Sequence, residues 1–568
     1  MARSEPLRMM KILFLARHFT YFRNFESVLR DLASRGHQLH LAVEQDESLG
    51  GTKLVQSLLD EFPNVTAGVL PERAEDDWTW TATRLRLGLD YLRYQHPVFD
   101  RAYKLRERSR GRTPGGFVML GDAVHAAGGW ARRGAETALR RMERAIPAPP
   151  SIRAFIEARR PDLMLLTPLI DLGSSQIDYL RAARELGVPT ALCVWSWDHL
   201  SSKALIRECP ERVFVWNETQ KREAVELHRV PAERVVITGA QCFDHWFDRT
   251  PSRTRDEFCA QIGLDARHPF ILWVCSALIY GSPPEAPFVL EWIRRVRASG
   301  HPALREAGVL VRPHPSRTAE WESIDTRELN AVVWGGNPID ESTRADYFDS
   351  IVHSAAVVGL NTSAFIEAGI VGRPVLTIVV PEFGENQHGT VHFEYLVHTG
   401  GGLVTVGEGF DAHLSQLAEA IGTPQTNTKP FVSDFVRPLG LDQAATPVFV
   451  EAVEAMRGIR VEAVAHDALA PVWRWMLRRI AALRDRPRFE RWTLSPREHA
   501  SAERLRLLRH QKAIRRAMSR AEHDAARQQR LQEREARLET YRQERQQART
   551  QAPAERKTAA MQASERLR

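Results

Sequence analysis

Four stretches of this 568-residue chain place reactive or anion-binding side chains directly behind apolar runs. After KILFLA comes RHFTYFRN, whose His18 imidazole could take the proton of an acceptor hydroxyl, because its ordinary pKa lies near neutrality. A surface or structural role serves His18 equally well, since the chain holds 20 histidines. Bulky residues stand there where a dinucleotide-binding G-x-G-x-x-G turn needs glycine, which weakens a dehydrogenase reading. After VVGL, Asn361, Thr362 and Ser363 supply capping oxygens and unpaired amides at a helix start, a setting that attracts anions. Glu367, one turn on, could accept hydrogen bonds from paired ribose hydroxyls, or be a solvated glutamate on an ordinarily capped helix. GVLVRPHPSR delivers Arg312 and His314 at a turn stiffened by two prolines. A guanidinium and an imidazole there could neutralise a departing nucleoside diphosphate, or the stretch could be a rigid turn only. CSALIYGSPPE offers Ser276 and neighbouring amides to phosphate.

Loops of this kind converge only if the runs before them are strands of a common sheet. Residues 11–43 read strand, loop, helix, strand: KILFLA is a short apolar run, Phe25, Val28, Leu29 and Leu32 have helical spacing, and HQLHLAV alternates. The same grammar returns at PDLMLLTP, VPTALCVW, RVFVWN and RVVITG, and again at FILWVCS, GVLVRPHP, AVVWG, AAVVGL and RPVLTIVV. Strands apolar on both faces, alternating with helices, imply parallel sheets covered on two sides. The reading is an α/β protein with two doubly wound Rossmann-like domains facing across a cleft. The first spans 8–250, with a helical, basic insertion at about 72–150, and the second spans 265–430. Helices over 431–494 cross back to the first domain, and 495–568 form a basic tail that is helical, coiled-coil or disordered. In such sheets ligands bind beyond the carboxyl ends of the strands, where strand order reverses.

Composition narrows the function classes. Hydrophobic residues at 43% and charged residues at 26% are ordinary globular usage. The net charge of +7 resides in the tail, where 19 basic face 10 acidic residues after position 494, against 59 and 61 before it. A nucleic-acid function for the body therefore cannot be argued from charge, and interleaved glutamates argue against a dedicated nucleic-acid arm in the tail. The five cysteines never come closer than 16 positions, so no C-x-x-C metal or redox spacing exists. The first apolar run is too short for a signal peptide, and no run approaches 18 apolar residues, so the expected setting is cytoplasmic, at most peripheral at the inner face of a membrane.

Taken together, RVFVWNETQKREAVELHRVPAERVVITGAQCFD, LVRPHP and VVGLNTSAFIEAGIVGRPVL resemble the GT-B glycosyltransferases, and are similar to the CDP-glycerol glycerophosphotransferase and capsule-polysaccharide transferase group over about 160–400. The resemblance implies a nucleotide-sugar or CDP-polyol donor on the second domain, a glycan or lipid-linked acceptor approaching from the first, and no cofactor or essential metal. By matching position, Arg312 and His314 would bind or activate donor phosphate, and Thr362, Ser363 and Glu367 would hold the nucleotide. VWSWDHLSSK resembles a W-D-x-x-x-x-K loop of this group, making Asp198 a rival to His18 as base and Lys203 a holder of an anionic group. ENQHGTVHFEYL resembles a donor-facing loop and makes His392 a contact. Packing roles for Trp195, Trp197 and His392 stand beside these. There is no second R-P-H loop and no E-x7-E pair that can be matched to the family's, so neither donor identity nor inversion versus retention is carried over.

The implied activity is transfer of a sugar or polyol-phosphate group to an envelope or capsule glycan. A nucleotide-sugar 2-epimerase of the same fold and a non-catalytic platform carrying the C-terminal helix are the alternatives. VWRWMLRRIAAL, at 472–483, puts Val472, Trp473, Met476, Leu477, Ile480 and Leu483 on one helical face with arginines off it. That face suits a bilayer interface, but the reading preferred from sequence buries Trp473, Met476 and Ile480 against the first domain. Residues 501–549 lack Gly and Pro and could form a helix of about 75 Å, a weak coiled-coil partner with broken heptads.

Overall fold

The computed structural model describes residues 9–504 apart from 46–49, 72–75, 280, 423–425, 463–466, 484–485 and 487–488. Beyond 504 it describes 511, 528–530, 532–534, 536–537, 539–540 and 543. Residues 1–496 form one compact unit, and 497–568 belong to a second. The described positions of the second unit are helical, and the remainder of the expected 501–549 helix lies outside the described residues.

Two parallel sheets organise the first unit. β1 (Lys11–Ala16), β2 (Gln38–Val43), β3 (Val65–Val69), β4 (Leu163–Leu166), β5 (Thr190–Cys193), β6 (Arg212–Val215) and β7 (Val235–Ile237) lie in the order β3-β2-β1-β4-β5-β6-β7. β8 (Phe270–Val274), β9 (Gly308–Arg312), β10 (Ala331–Val333), β11 (Ala356–Gly359), β12 (Val375–Val379) and β13 (Val404–Glu408) lie in the order β10-β9-β8-β11-β12-β13. Central strands such as LMLL and FILWV are buried at every position, because helices cover both faces. Register is set by apolar pairs, Ile12 opposite Leu163 and Phe14 opposite Leu165 in the first sheet, Leu272 opposite Val357 in the second. Each sheet reverses its order beside its first strand, between β1 and β4 and between β8 and β11. Both domains are Rossmann-like.

Between β3 and β4 the chain builds a helical layer from Asp77–Arg93, Tyr103–Arg112, Gly115–Ala126 and Gly129–Arg144. Its helices approach closely: a Cβ on Gly88 would lie 2.6 Å from the Phe117 ring. A buried ion network ties the layer to the sheet. Arg86, fully buried, donates to Glu143 at 2.8 Å and to Asp178 at 2.5 Å, and Arg181 also reaches Glu143. Burial opposes ionisation of Glu143, but Arg181 and Arg86 outweigh it and bring its pKa down to about 2.

After the second sheet the chain returns to the first. Helix Ala445–Glu454 packs Phe449 against Phe25 and Phe214, with ring centroids at 5.9 and 5.1 Å. Asp244, just before the chain leaves the first domain, accepts from Arg437 at 3.0 Å and from the amides of Ala445 and Thr446 at 3.0 and 2.7 Å, where it comes back. The Arg86→Ala variant should lose about 3–5 kcal/mol of stability, since it leaves buried carboxylates short of their cation. Chemical denaturation measures this, and a loss under about 1 kcal/mol would show that the network does not hold the layer.

Candidate functional site

Both reversal points deliver their loops to one region. Behind β1 a 3-10 helix, Phe19–Phe25, sends Phe19, Phe22 and Phe25 into the core and leaves Arg23 exposed on the other side. Behind β5, Ser196 and Ser202 donate to the two oxygens of Asp198 at 2.5 and 2.6 Å, and Lys203 approaches it at 3.4 Å. The helical layer pins this turn: Arg93 donates to the carbonyls of Leu200 and Lys203 at 2.5 and 2.7 Å, and Tyr94 donates to that of Ser202 at 2.9 Å. Behind β12, the Gln387 amide clamps Thr377 Oγ1 and the Ile378 carbonyl at 2.8 and 3.0 Å, fixing the turn that presents His392.

The side chains form a continuous line across the two domains. His18 stacks on Tyr21 at 4.6 Å between ring centroids, and Tyr21 meets Trp195 edge-on at 5.0 Å. The Lys203 ammonium sits 6.0 Å from the Trp195 ring. On the far side of Asp198, Trp197 meets His392 at 4.8 Å, and His392 Nε2 lies 3.5 Å from the Asn361 amide nitrogen. Asn361 is itself braced: its backbone N–H donates to Ser276 Oγ at 3.2 Å and its side chain to the Asn386 carbonyl at 2.7 Å. Three buried polar atoms on this line, Trp195 Nε1, Asn361 Oδ1 and His392 Nδ1, have no hydrogen-bond partner.

Electrostatics assigns these groups different work. Burial disfavours the Asp198 carboxylate, but Lys203, His392 and the two serine hydroxyls overcome this and hold its pKa below the usual carboxylate range. An anion so stabilised is a poor proton acceptor. Burial lowers His392 to about 4, so its imidazole is neutral at neutral pH. Glu367 is raised to about 7, chiefly by burial, while it accepts a 2.5 Å hydrogen bond from Tyr347. Arg23 acts electrostatically on Glu367, Tyr347 and His314 from the opposite domain.

Three sequence expectations are corrected here. Arg312 does not face the other domain: it is 4% exposed, pairs with Asp346 at 2.9 Å, lies over the Tyr347 ring and is covered by Gly335, whose added Cβ would fall 2.3 Å from the guanidinium. Ser276 offers no amide to phosphate, since its N–H donates to Glu285 at 2.8 Å and its hydroxyl serves Asn361. Glu367 is engaged by Tyr347 instead of standing free for ribose hydroxyls. Asp198, Lys203, His392, Asn361 and His18 come together. Thr362 and Ser363 lie at the start of the short helix Ala364–Ile370, with Thr362 Oγ1 accepting from the Ala364 amide at 3.4 Å and Ser363 exposed. His314 is part-buried, bonded to Ser316 at 2.8 Å, with a pKa lowered by burial and by Arg23. Arg23 was missed, although the Phe19, Phe22, Phe25 spacing foretells that Arg23 faces outward.

Two concavities lie away from this line. One of 510 Å³ borders Lys11, His40 and Arg159 at the opposite ends of the first-sheet strands, and one of 160 Å³ borders Arg93 and Arg229. At the candidate site the domains touch, and Arg344–Glu26 at 3.1 Å and Tyr395–Glu223 at 2.7 Å bridge them nearby. Among the described residues no three His, Cys, Asp or Glu side chains gather as metal ligands, and no helix is long and apolar enough to cross a membrane.

No family model and no curated protein matches the chain significantly. Solved structures that align along most of it include WaaG, a glycosyltransferase involved in lipopolysaccharide biosynthesis, at 11% identity, 79% of this chain, 99% of that one and a TM-score of 0.37. The UDP-GlcNAc 2-epimerase of Methanocaldococcus jannaschii aligns at 10% identity, with 78% and 99% coverage and a TM-score of 0.43. The wall teichoic acid polymerase TagF aligns at 8% identity, with 79% and 90% coverage and a TM-score of 0.38.

The raised Glu367 pKa has a testable sign. Between the unfolded value near 4.3 and about 7, the unfolded chain releases this proton while the folded chain keeps it, so stability falls as pH rises. Glu367→Gln removes that loss. Its stability relative to wild type should climb by about 1–3 kcal/mol from pH 5 to 8, measured by denaturation at each pH, and a flat difference would mean that Glu367 is already ionised.

Proposed function

We propose that the chain is a transferase that moves a glycosyl or polyol-phosphate group from a nucleotide-activated donor to a hydroxyl of an envelope or capsule glycan. The observation that carries this reading is the line from His18 through Trp195, Lys203, Asp198 and His392 to Asn361, which joins both domains at their reversal points and contains three unpartnered buried polar atoms. A two-substrate transfer needs groups from both sides of such a junction, because proximity and orientation supply much of the rate. The acceptor class rests on the resemblance of the 160–400 segment.

His18 is the proposed base. The acceptor oxygen gives its proton to the imidazole and uses the freed electron pair to bond the transferred carbon or phosphorus, while the bond from that atom to the leaving oxygen breaks, releasing a nucleoside diphosphate when a sugar moves and a nucleoside monophosphate when a polyol-phosphate moves. The negative charge released on the departing nucleotide is met by Arg23, with hydrogen bonds from His314 and from backbone amides at Thr362 and Ser363. Asp198 stays ionised and orients Lys203 towards an anionic group of donor or acceptor. His392, neutral, donates or accepts a hydrogen bond beside Asn361. Side chains supply the positive charge in this scheme, so EDTA should leave donor binding unchanged.

A thermal-shift panel of UDP, CDP and GDP tests the reading. One nucleoside diphosphate should raise the melting temperature, since a ligand at about 100 times its Kd adds about 2.7 kcal/mol. Arg23→Ala should shrink that shift while leaving the ligand-free melting temperature in place, and His18→Ala should keep the shift but lower turnover about 100-fold or more. No shift with any nucleotide, or a shift indifferent to both Arg23→Ala and Asn361→Ala, would refute the site. Release of an epimerised sugar from donor alone, with no acceptor present, would make the chain an epimerase.

A further inference from the structure

The helix Ala470–Ala481 buries only part of the face that its sequence marks as apolar. Leu477 and Ala481 pack inward, against the layer that contains Trp78 and Met142, and Arg474 anchors the helix through a 2.7 Å bond to the Ala145 carbonyl. Val472, Trp475 and Ile480 are 56%, 61% and 42% exposed, so the expected burial of Ile480 is overturned. The reason is phase: the neighbouring helices meet only the Leu477 side, and the opposite side of an equally apolar helix is left outward. Arg479 lies on that outward side, its guanidinium 5.6 Å from the Trp475 ring.

The feature extends across the whole helical layer. Among the described residues, ten of the thirteen exposed large hydrophobic side chains fall between 98 and 130 or between 469 and 492, and they include all three exposed tryptophans, Trp130, Trp475 and Trp492. Trp492 packs on Gly116, one turn from exposed Met119. Charge is segregated in the same stretches of sequence. Basic residues outnumber acidic ones ten to four between 103 and 144 and seven to two between 470 and 494, whereas the rest of residues 1–494 holds 42 basic against 55 acidic.

From this we infer that the outer face of the helical layer docks on an anionic lipid bilayer. Tryptophan and aliphatic side chains gain by entering the headgroup boundary, and arginines beside them meet lipid phosphates while their stems stay apolar. A protein partner fits less well, because interface cores are depleted of charge, and a nucleic acid gives no return for exposed Val472 and Ile480. The inference does not depend on the proposed reaction.

The test is co-sedimentation of the full chain with phosphatidylcholine vesicles and with vesicles containing about one third phosphatidylglycerol. The chain should bind only the anionic vesicles, less at high salt. Trp475→Ser/Ile480→Ser and, separately, Arg479→Glu should each weaken binding about tenfold or more with the melting temperature unchanged. Both variants keep the basic tail, so unchanged binding in both would assign attachment to the tail and overturn the inference, as would failure of the wild-type chain to bind. A wild-type dimer that the double variant turns into monomers would also overturn it, by making the face a contact between copies. Brominated phosphatidylglycerol should quench tryptophan emission less in Trp475→Phe than in wild type, a reading that survives even if the double variant folds poorly. Equal quenching in the two proteins would contradict the docking face.

Discussion

Everything polar in the centre of this molecule is constrained by strands that cannot hold it. A parallel strand buried on both faces has no position for a charged side chain along its length, so function must sit where the strand stops. In each sheet the connections diverge to opposite faces beside the first strand, and there the loops have space to carry large side chains. His18 and Asn361 occupy these two places, one in each domain. Facing the two sheets end to end brings them onto one line, and Asp198 and His392 fill the interval.

The interval is polar in a controlled way. Asp198 is kept charged by a lysine and two hydroxyls although burial works against it, and its charge in turn pulls against the burial that keeps His392 neutral. A carboxylate, an ammonium and a neutral imidazole thus stand side by side without sharing protons freely. The loop that carries Asp198 and Lys203 owes its shape to Arg93 and Tyr94 of the helical layer, so that layer is part of the site's support as well as the outer surface of the domain.

The sheets were legible because their strands are uninterrupted apolar runs, and the residues just behind those runs were legible as candidates for the same reason. His18 and Asn361 were candidates by position behind a strand, whereas Asp198, Lys203 and His392 were candidates through the resemblance of their loops. Arg312 and Ser276 occupy equivalent positions and were misjudged, because what decides their orientation is distant in sequence: Asp346 lies 34 residues from Arg312, and Glu285 draws the Ser276 amide inward. No local pattern announces such partners. Arg23 was hidden in an aromatic-rich stretch whose threefold phenylalanine spacing reads clearly once a 3-10 helix is assumed. For Ala470–Ala481 the sequence defined an apolar side, but not which part of it a neighbour would cover.

Asp244 gathers the outgoing and returning segments of the chain at a single carboxylate. A body whose two halves are joined by a pair of peptide threads can in general slide, twist or swing. Fastening both threads at one point removes sliding, and leaves swinging about that point as the motion that breaks fewest bonds. The Arg344–Glu26 bridge lies close to that fastening, because Ser27, beside Glu26, meets the Thr446 hydroxyl at 2.7 Å and that hydroxyl donates to Asp244 at 2.7 Å. The bridge therefore sits near the pivot and can hold while the two halves swing.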